Sequence, residues 1–431
     1  MKVNALTQNH PHWLANRLSF FYGWMMVPIA LLTNLATMPG QTIFISIFNP
    51  YFQETLNLSL SQISGAYMVC TLLAAVPQPY LGKWIDRLGF RSMMIYVVIL
   101  LGLTCMLTSR IQNIWMLVLS FFFLRLFGQG ILSLLAGNTL AMWFRKRLGT
   151  ISATAGVLLS FSMGLIPMAN LALINQFGWR NTYFIAGLIV WGVMLPVTIF
   201  IYINRPEDVG QQVDGLQIGS EESPEEKHLQ RPAPLDLRAA IRTRSFWIMI
   251  AIFSCWSLVG TAYVYNMIPI LTARGLSETQ AAASYVGLST IAAMLRFFGG
   301  YLADHIPLNW LVFASAGTYA VALSVLTFAP ISWMMIVFAV LYGVAQALVN
   351  GVMATVWVRY FGRDHLGKIS SIVIAAMVAG SSAGPFLLGI AFDTLGSFQV
   401  ALVGFIILMA VLAIAGIFAT PPQRKMIHMD R

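Results

Sequence analysis

The chain has 431 residues, 58% of them hydrophobic and only 9% charged, with a mean hydropathy of +0.77. That composition excludes a water-soluble domain of this size and reads as an all-α integral membrane protein. The net charge of +10 would suit a nucleic-acid binder in a soluble protein, but here basic residues gather in loops on one membrane face, as insertion demands, and no nucleic-acid partner is expected.

Twelve apolar runs of bilayer-crossing length are placed at 20–48, 60–80, 91–109, 113–141, 150–174 and 180–203, then at 245–272, 279–303, 308–329, 332–359, 367–392 and 396–419. The first run is far longer than a signal-peptide core, so it is expected to stay as a helix. Residues 204–244 carry EESPEEKH and little apolar material. They read as a cytosolic linker between six-helix halves at 1–203 and 245–431. With both termini cytosolic, twenty of the 25 Lys and Arg fall on the inner side. Arg110, Arg180 and Arg274 fall outside, and Arg125 and Arg296 lie within helices.

Adding 218 to a position in the first half finds its match in the second without a gap: Ser59 and Ser277, Gln62 and Gln280, Tyr67 and Tyr285, Asp86 and Asp304, Pro167 and Pro385, Gly178 and Gly396. Apolar identities arise by chance in membrane helices, whereas polar, glycine and proline identities in one register do not. The halves read as a parallel repeat, an arrangement in which substrate binds near the bilayer midplane.

A charge at membrane depth is expensive and marks a functional site unless a partner takes it up. Arg296 lies eight residues before Asp304, about 12 Å along a helix, near the middle of a hydrocarbon core of about 30 Å. The 218 register pairs it with Gln78. A guanidinium fork matches a carboxylate, so Arg296 is expected to bind a small organic anion, with Gln78 opposite. The alternative is a structural arginine held by carbonyls and water. Gln41, Thr42, Tyr263, Asn266, Gln346, Asn350 and Ser381 lie at plausible depth and either complete the site or bond helix to helix. All fifteen acids and six histidines fall in loops, helix ends or the linker, so no side chain at mid-membrane is expected to carry a proton. The three cysteines have no metal-ligand spacing, and neither a metal, a cofactor nor catalysis is expected.

Gly82, Asp86, Arg87, Gly89 and Arg91 form GKWIDRLGFR between the second and third helices. Here the chain resembles the major facilitator superfamily, whose members carry a GxxxD(R/K)xGxR loop at this place. The resemblance implies two pseudo-symmetric six-helix halves working by alternating access. Gly82, Asp86, Arg87, Arg91 and the echo Asp304 would then form a cytosolic latch; the bland reading is topology alone. FYGW at Phe21–Trp24, WFRKRLG from Trp143, GWR at Gly178–Arg180 and RPEDVG at Arg205–Gly210 are similar to bacterial monocarboxylate porters and oxalate/formate exchangers.

In those relatives a helix-8 arginine binds the substrate carboxylate, and Arg296 stands in that place. Arg125 resembles an arginine common on helix 4 of the superfamily, either a strut to helix 1 or a direct participant. Two departures matter. Ala292 stands where proton-coupled porters carry an aspartate, and MVAGSSAGP fills the middle of helix 11, where exchangers carry a lysine; Lys368 reaches only its cytosolic entrance. One cavity arginine suits a monoanion. The expectation is therefore a monomeric transporter of a small monocarboxylate in a bacterial cytoplasmic membrane, coupled to a counter-transported anion or a proton. The other readings are an exporter of drugs or of cationic or neutral solutes, which would need the missing intramembrane acid, and a non-transporting nutrient sensor.

Overall fold

The computed structural model describes residues 20–78, 84–85, 87–144, 148–215, 237–361 and 366–422. Among them nine helices, or ten with one bent pair taken as a single span, are long and apolar enough to cross a membrane, and grouped at their breaks the helical segments fall into twelve runs. The first, α1, runs as Gly23–Ala36, a tight turn at Met38–Gly40, Thr42–Ile47 and Asn49–Leu56, and α2 follows at Leu60–Ala75. Then come α3 (Phe90–Thr108) and α4, which is built from Ile114–Phe123, a wide π-helical stretch at Leu124–Leu132 and Ser133–Trp143. One run, Leu148–Pro196 with a last π turn at Val197–Ile201, is parted by Gly178 (φ 78°) into α5 and α6. In the second half α7 is Arg244–Tyr265 plus Met267–Ala273, α8 is Glu278–His305, α9 is Leu308–Phe328, α10 is Ile331–Phe361, α11 is Leu366–Leu395 and α12 is Gln399–Ile417.

The first pass departs from its expected span of 20–48. It continues to Leu56 and is broken twice, first where Pro39 cannot donate to the helical ladder and Gln41 turns extended (φ −83°, ψ 148°). The linker also differs from a bare spacer in its first residues. Pro206–Val209 form a helical turn, Gly210 closes it at φ 70°, and Gln211 accepts from the Tyr22 amide at 2.9 Å.

By contact the chain forms two compact units, one of residues 1–51, 73–162 and 169–227 and the other of 52–72, 163–168 and 228–431. The second includes the start of α2 and a short piece of α5. Glycine explains both attachments: a Cβ on Gly389 of α11 would lie 3.0 Å from Ser61 Cα, and one on Gly164 of α5 would lie 3.0 Å from Val286 Cα on α8. Small residues let membrane helices approach to backbone distance.

The repeat extends to individual bonds. Ser59 with Gln62 and Ser277 with Gln280 form identical capping boxes at the starts of α2 and α8, with bonds of 2.9 and 3.2 Å in each. At the start of α3, Arg91 donates to Thr198 O and Ile199 O at the end of α6. Shifted by 218, Asn309 at the start of α9 donates to Ile417 O at the end of α12 (3.2 Å). Both side chains satisfy carbonyls that a helix end leaves without a partner. Arg91→Ala should therefore destabilise the protein by about 1–2 kcal/mol, and Arg91→Asn, the second half's own solution, should recover part of that loss in a thermal unfolding assay.

Candidate functional site

In the first unit the two irregular backbones meet. Where α1 breaks, a Cβ on Gly40 would stand 2.1 Å from Leu124 O and 2.9 Å from Gly128 Cα, and only glycine fits on both sides of that contact. Arg125, 5% exposed, donates Nη1 to Gly40 O at 3.1 Å and to Gln129, one turn along the π stretch. Gln41 donates to Thr37 Oγ1 (3.0 Å) and to Ser133 Oγ (3.4 Å). Gln78 is exposed, its amide nitrogen 3.1 Å from where a Cβ on Gly130 would lie, and Thr42 is half-buried. Non-helical backbone at membrane depth survives only where protein or a wet cavity satisfies it, and π-helical insertions concentrate at functional sites. Here Arg125 acts as a strut from α4 to α1. Thr37, Gln129 and Ser133 join this polar seam; the four-residue spacings Thr37–Gln41 and Arg125–Gln129 carried the signal.

In the second unit a strip of small residues sets the height and rotation of α8. A Cβ on Gly299 would sit 1.8 Å from Ala347 O on α10, one on Gly351 2.1 Å from Gly299 O, and one on Gly343 2.7 Å from Ile291 Cγ2. Arg296 lies one turn before Gly299, on a continuous helix, about 27 Å from Glu278 and about 14 Å from His305 along the axis. It is exposed, and among the described residues it has no hydrogen-bond or ion-pair partner. Met294 and Phe298 (64% and 62% exposed) lie two residues to either side, which on a helix is the opposite face. Two turns earlier, Ser289, on Arg296's side of the helix, meets Gly164 of α5.

The remaining expected residues are placed as follows. Tyr263 is 1% exposed, its ring 4.8 Å from Phe338 and 6.4 Å from Tyr342 of α10. Asn266 is fully buried at the bend of α7 and donates to Ala262 O at 3.0 Å. The hydroxyl of Tyr263 and the carbonyl oxygen of the Asn266 side chain have no partner among the described residues. Gln346 donates to Asn350 on the same helix at 3.3 Å, and Ser381 bonds back to Val378 O at 2.9 Å. The glycines around Ser381 bring α11 against α7: a Cβ on Gly380 would lie 2.3 Å from Ser254 O, and one on Gly384 2.1 Å from Leu258 O. Tyr319 of α9, its ring tilted against Trp256 at 4.3 Å, is a second buried hydroxyl with no partner among the described residues. Sequence reasoning passed it over because aromatic residues in membrane helices mostly pack; tyrosine where phenylalanine would serve was the signal.

Gly82 and Asp86 lie outside the described residues. Of the rest of that loop, Arg87 is exposed, Gly89 starts α3 at φ 79° close to Asn204, and Arg91 clamps α6. Asp304 pairs with Arg359 of α10. The described residues of the four short motifs pack within the first unit, while Arg145, Lys146 and Arg147 of WFRKRLG lie outside the described residues. Tyr22 of FYGW packs on Trp143 (5.7 Å) and donates to Ile201 O (2.7 Å), Phe21 packs on Phe144 (5.6 Å), and the RPEDVG turn leads into Gln211, which holds the Tyr22 amide. Arg180 of GWR donates to Ser109 O and Ile111 O.

A carboxylate joins α11 to α2. Asp393 accepts the Ser61 amide at 2.8 Å, in the first turn of α2, where a negative group meets amides without helical partners. Asp393→Ala should remove about 1 kcal/mol of capping stabilisation, visible as faster hydrogen exchange at Ser61 and its neighbours with no change at α10.

The sequence model of the Major Facilitator Superfamily matches residues 30–309 and 275–428. The chain belongs to the major facilitator superfamily. An uncharacterized transporter of this type, YhjX of Escherichia coli K12, is 24% identical over 368 residues, covering 83% of this chain and 85% of that one. The multidrug resistance protein MdtG of Dickeya zeae is 23% identical over 365 residues (81% and 82%), and the oxalate:formate antiporter of Oxalobacter formigenes 23% over 291 residues (66% and 64%). Among solved structures, an inward-facing bacterial homolog of the human lysosomal transporter Spinster superposes with a TM-score of 0.64 at 15% identity, covering 93% of this chain and 95% of that one. This major facilitator protein is thus a multi-pass membrane protein of a transporter family.

Proposed function

We propose that this transporter moves small organic anions, monocarboxylates foremost, and that Arg296 binds their carboxylate. The observation that carries the reading is the contrast between the two arginines at membrane depth. Arg125 is buried and engaged by Gly40 O and Gln129, whereas Arg296 is exposed, lies on the face of α8 opposite Met294 and Phe298, and has no partner among the described residues. A charge left in that condition at membrane depth is stabilised by a ligand or water. Within the same unit, the buried Tyr263 hydroxyl and Asn266 side-chain carbonyl, without a partner among the described residues, are further candidates for ligand contact. The relative that exchanges oxalate and formate supports an anion. In the first unit, exposed Gln78 and half-buried Gln41 and Thr42 remain candidates for ligand contact of their own.

Transport proceeds by alternating access. An unpaired cationic site disfavours reorientation of the empty carrier, which favours exchange of one anion for another. The excess of basic residues on one side supports cytosolic termini in a bacterial cytoplasmic membrane. The test uses proteoliposomes of the purified protein and labelled lactate, formate and oxalate. Uptake should be accelerated by an internal carboxylate and not inhibited by lactamide, which keeps the shape and loses the charge. Transport of a cationic dye with no carboxylate flux would overturn the reading in favour of a drug exporter.

A further inference from the structure

Arg110, Arg180 and Arg274 are the three basic residues that the charge distribution leaves on the outer face. Two of them have structural work. Arg180 caps the end of α3 through Ser109 O (3.2 Å) and Ile111 O (2.8 Å), and Arg274 caps the end of α9 through Thr327 O (2.5 Å) and Ala329 O (2.6 Å). These carbonyls are 218 residues apart in the chain. The repeat therefore asks each half for one arginine, taken from the start of α6 in one case and from the loop before α8 in the other.

Arg110 is the surplus. It is exposed, and its side chain makes no hydrogen bond or ion pair to any described residue. With Ser109, Gln112, Arg180, Asn181 and Phe184 it lines a hollow of about 470 Å³ between the loop after α3 and the start of α6. At the register positions of Arg110, Arg180 and Phe184 the second half has Phe328, Phe398 and Leu402, so the fold itself does not require a cationic hollow there.

We propose that this hollow binds the phosphate head group of an anionic membrane lipid. Arg110 and the remaining donors of Arg180 face a single anion, and the Asn181 and Gln112 amides can donate to its other oxygens. The choice of a lipid rests on what adjoins the hollow. Phe184 on its rim and Leu188 one turn further along α6 are 40% and 46% exposed, and Trp115 at the start of α4 is 78% exposed. An acyl chain leaving the head group would run along that apolar face, with aromatic side chains at interface depth. The site is independent of the transport reading and of Arg296.

The experiment measures thermal unfolding of the full-length protein in phosphatidylcholine nanodiscs doped with increasing phosphatidylglycerol, and in detergent with inorganic phosphate. Wild type should be stabilised by phosphatidylglycerol in a saturable way, and Arg110→Ala should need about tenfold more of it for the same shift. Arg110→Lys should fall between them. Arg274→Ala, which removes the other outer arginine, should melt lower in every lipid yet keep the full phosphatidylglycerol response. Equal responses in wild type and Arg110→Ala would overturn the site. Stabilisation by millimolar inorganic phosphate equal to that by the lipid would overturn the lipid assignment.

Discussion

Replacing Arg296 with alanine should lower carboxylate transport by about 30-fold or more while leaving the melting temperature of the ligand-free protein close to that of wild type. Removing one partner of a desolvated, hydrogen-bonded charge pair forfeits about 2–5 kcal/mol, and each 1.4 kcal/mol is a factor of ten. Stability should hold because Arg296 is exposed and supports no described residue. Arg296→Lys separates charge from geometry. It keeps the cation but replaces a rigid fork with a point charge on a flexible stem, so affinity should fall about tenfold without being lost. A structural arginine would give the reverse pattern, with lower stability and transport falling only as folded protein is lost. Proteoliposome uptake and thermal unfolding on the same preparations separate the two.

The second large effect is expected at Gly299. Its missing side chain leaves room for Ala347 O, which would otherwise lie 1.8 Å from a Cβ, and Gly351 on α10 reciprocates at 2.1 Å from Gly299 O. Backbone atoms cannot rotate away as a side-chain end can, so Gly299→Val must push α8 and α10 apart along the strip. The penalty should exceed the roughly 1–3 kcal/mol typical of overpacking, seen as loss of the monodisperse protein peak. Gly300→Ala, one residue along, is a matched control, since nothing lies within 4 Å of its added Cβ. If Gly299→Val folds and melts like wild type, the small-residue strip does not position Arg296.

The twelve runs and the repeat were legible because membrane helices must be long and apolar, and because residues at helix ends face the same problem in each half. Ser59 and Ser277 cap alike, and Gly178 and Gly396 both turn with positive φ, at 78° and 65°. The break in α1 was not legible as a break. Pro39 and Gly40 signalled a turn, but an apolar run around them looks the same straight or interrupted, and the interruption persists only because Gly128 and Arg125 receive it. The π stretch of α4 is likewise set by tertiary contact rather than by composition.

The candidate site divides along the same line. Arg296 could be singled out from hydropathy alone, because a charge in an apolar helix needs a reason. The role of Arg125 needed Gly40 O, a backbone atom whose availability depends on the break. Tyr319 and Tyr342 were invisible as polar groups because their rings count toward an apolar run. The short motifs FYGW and RPEDVG carry kinship through packing rather than through ligand contact, since Tyr22 bonds to Gln211 and to the end of α6.

Ligand-induced thermal stabilisation of the purified protein decides whether Arg296 is the carboxylate-binding group. A panel of lactate, formate, oxalate, lactamide and a cationic dye would be titrated against wild type and Arg296→Ala. The account predicts saturable stabilisation of wild type by at least one monocarboxylate, none by lactamide or the dye, and loss of the carboxylate response in Arg296→Ala. Equal carboxylate stabilisation of the two proteins would contradict it.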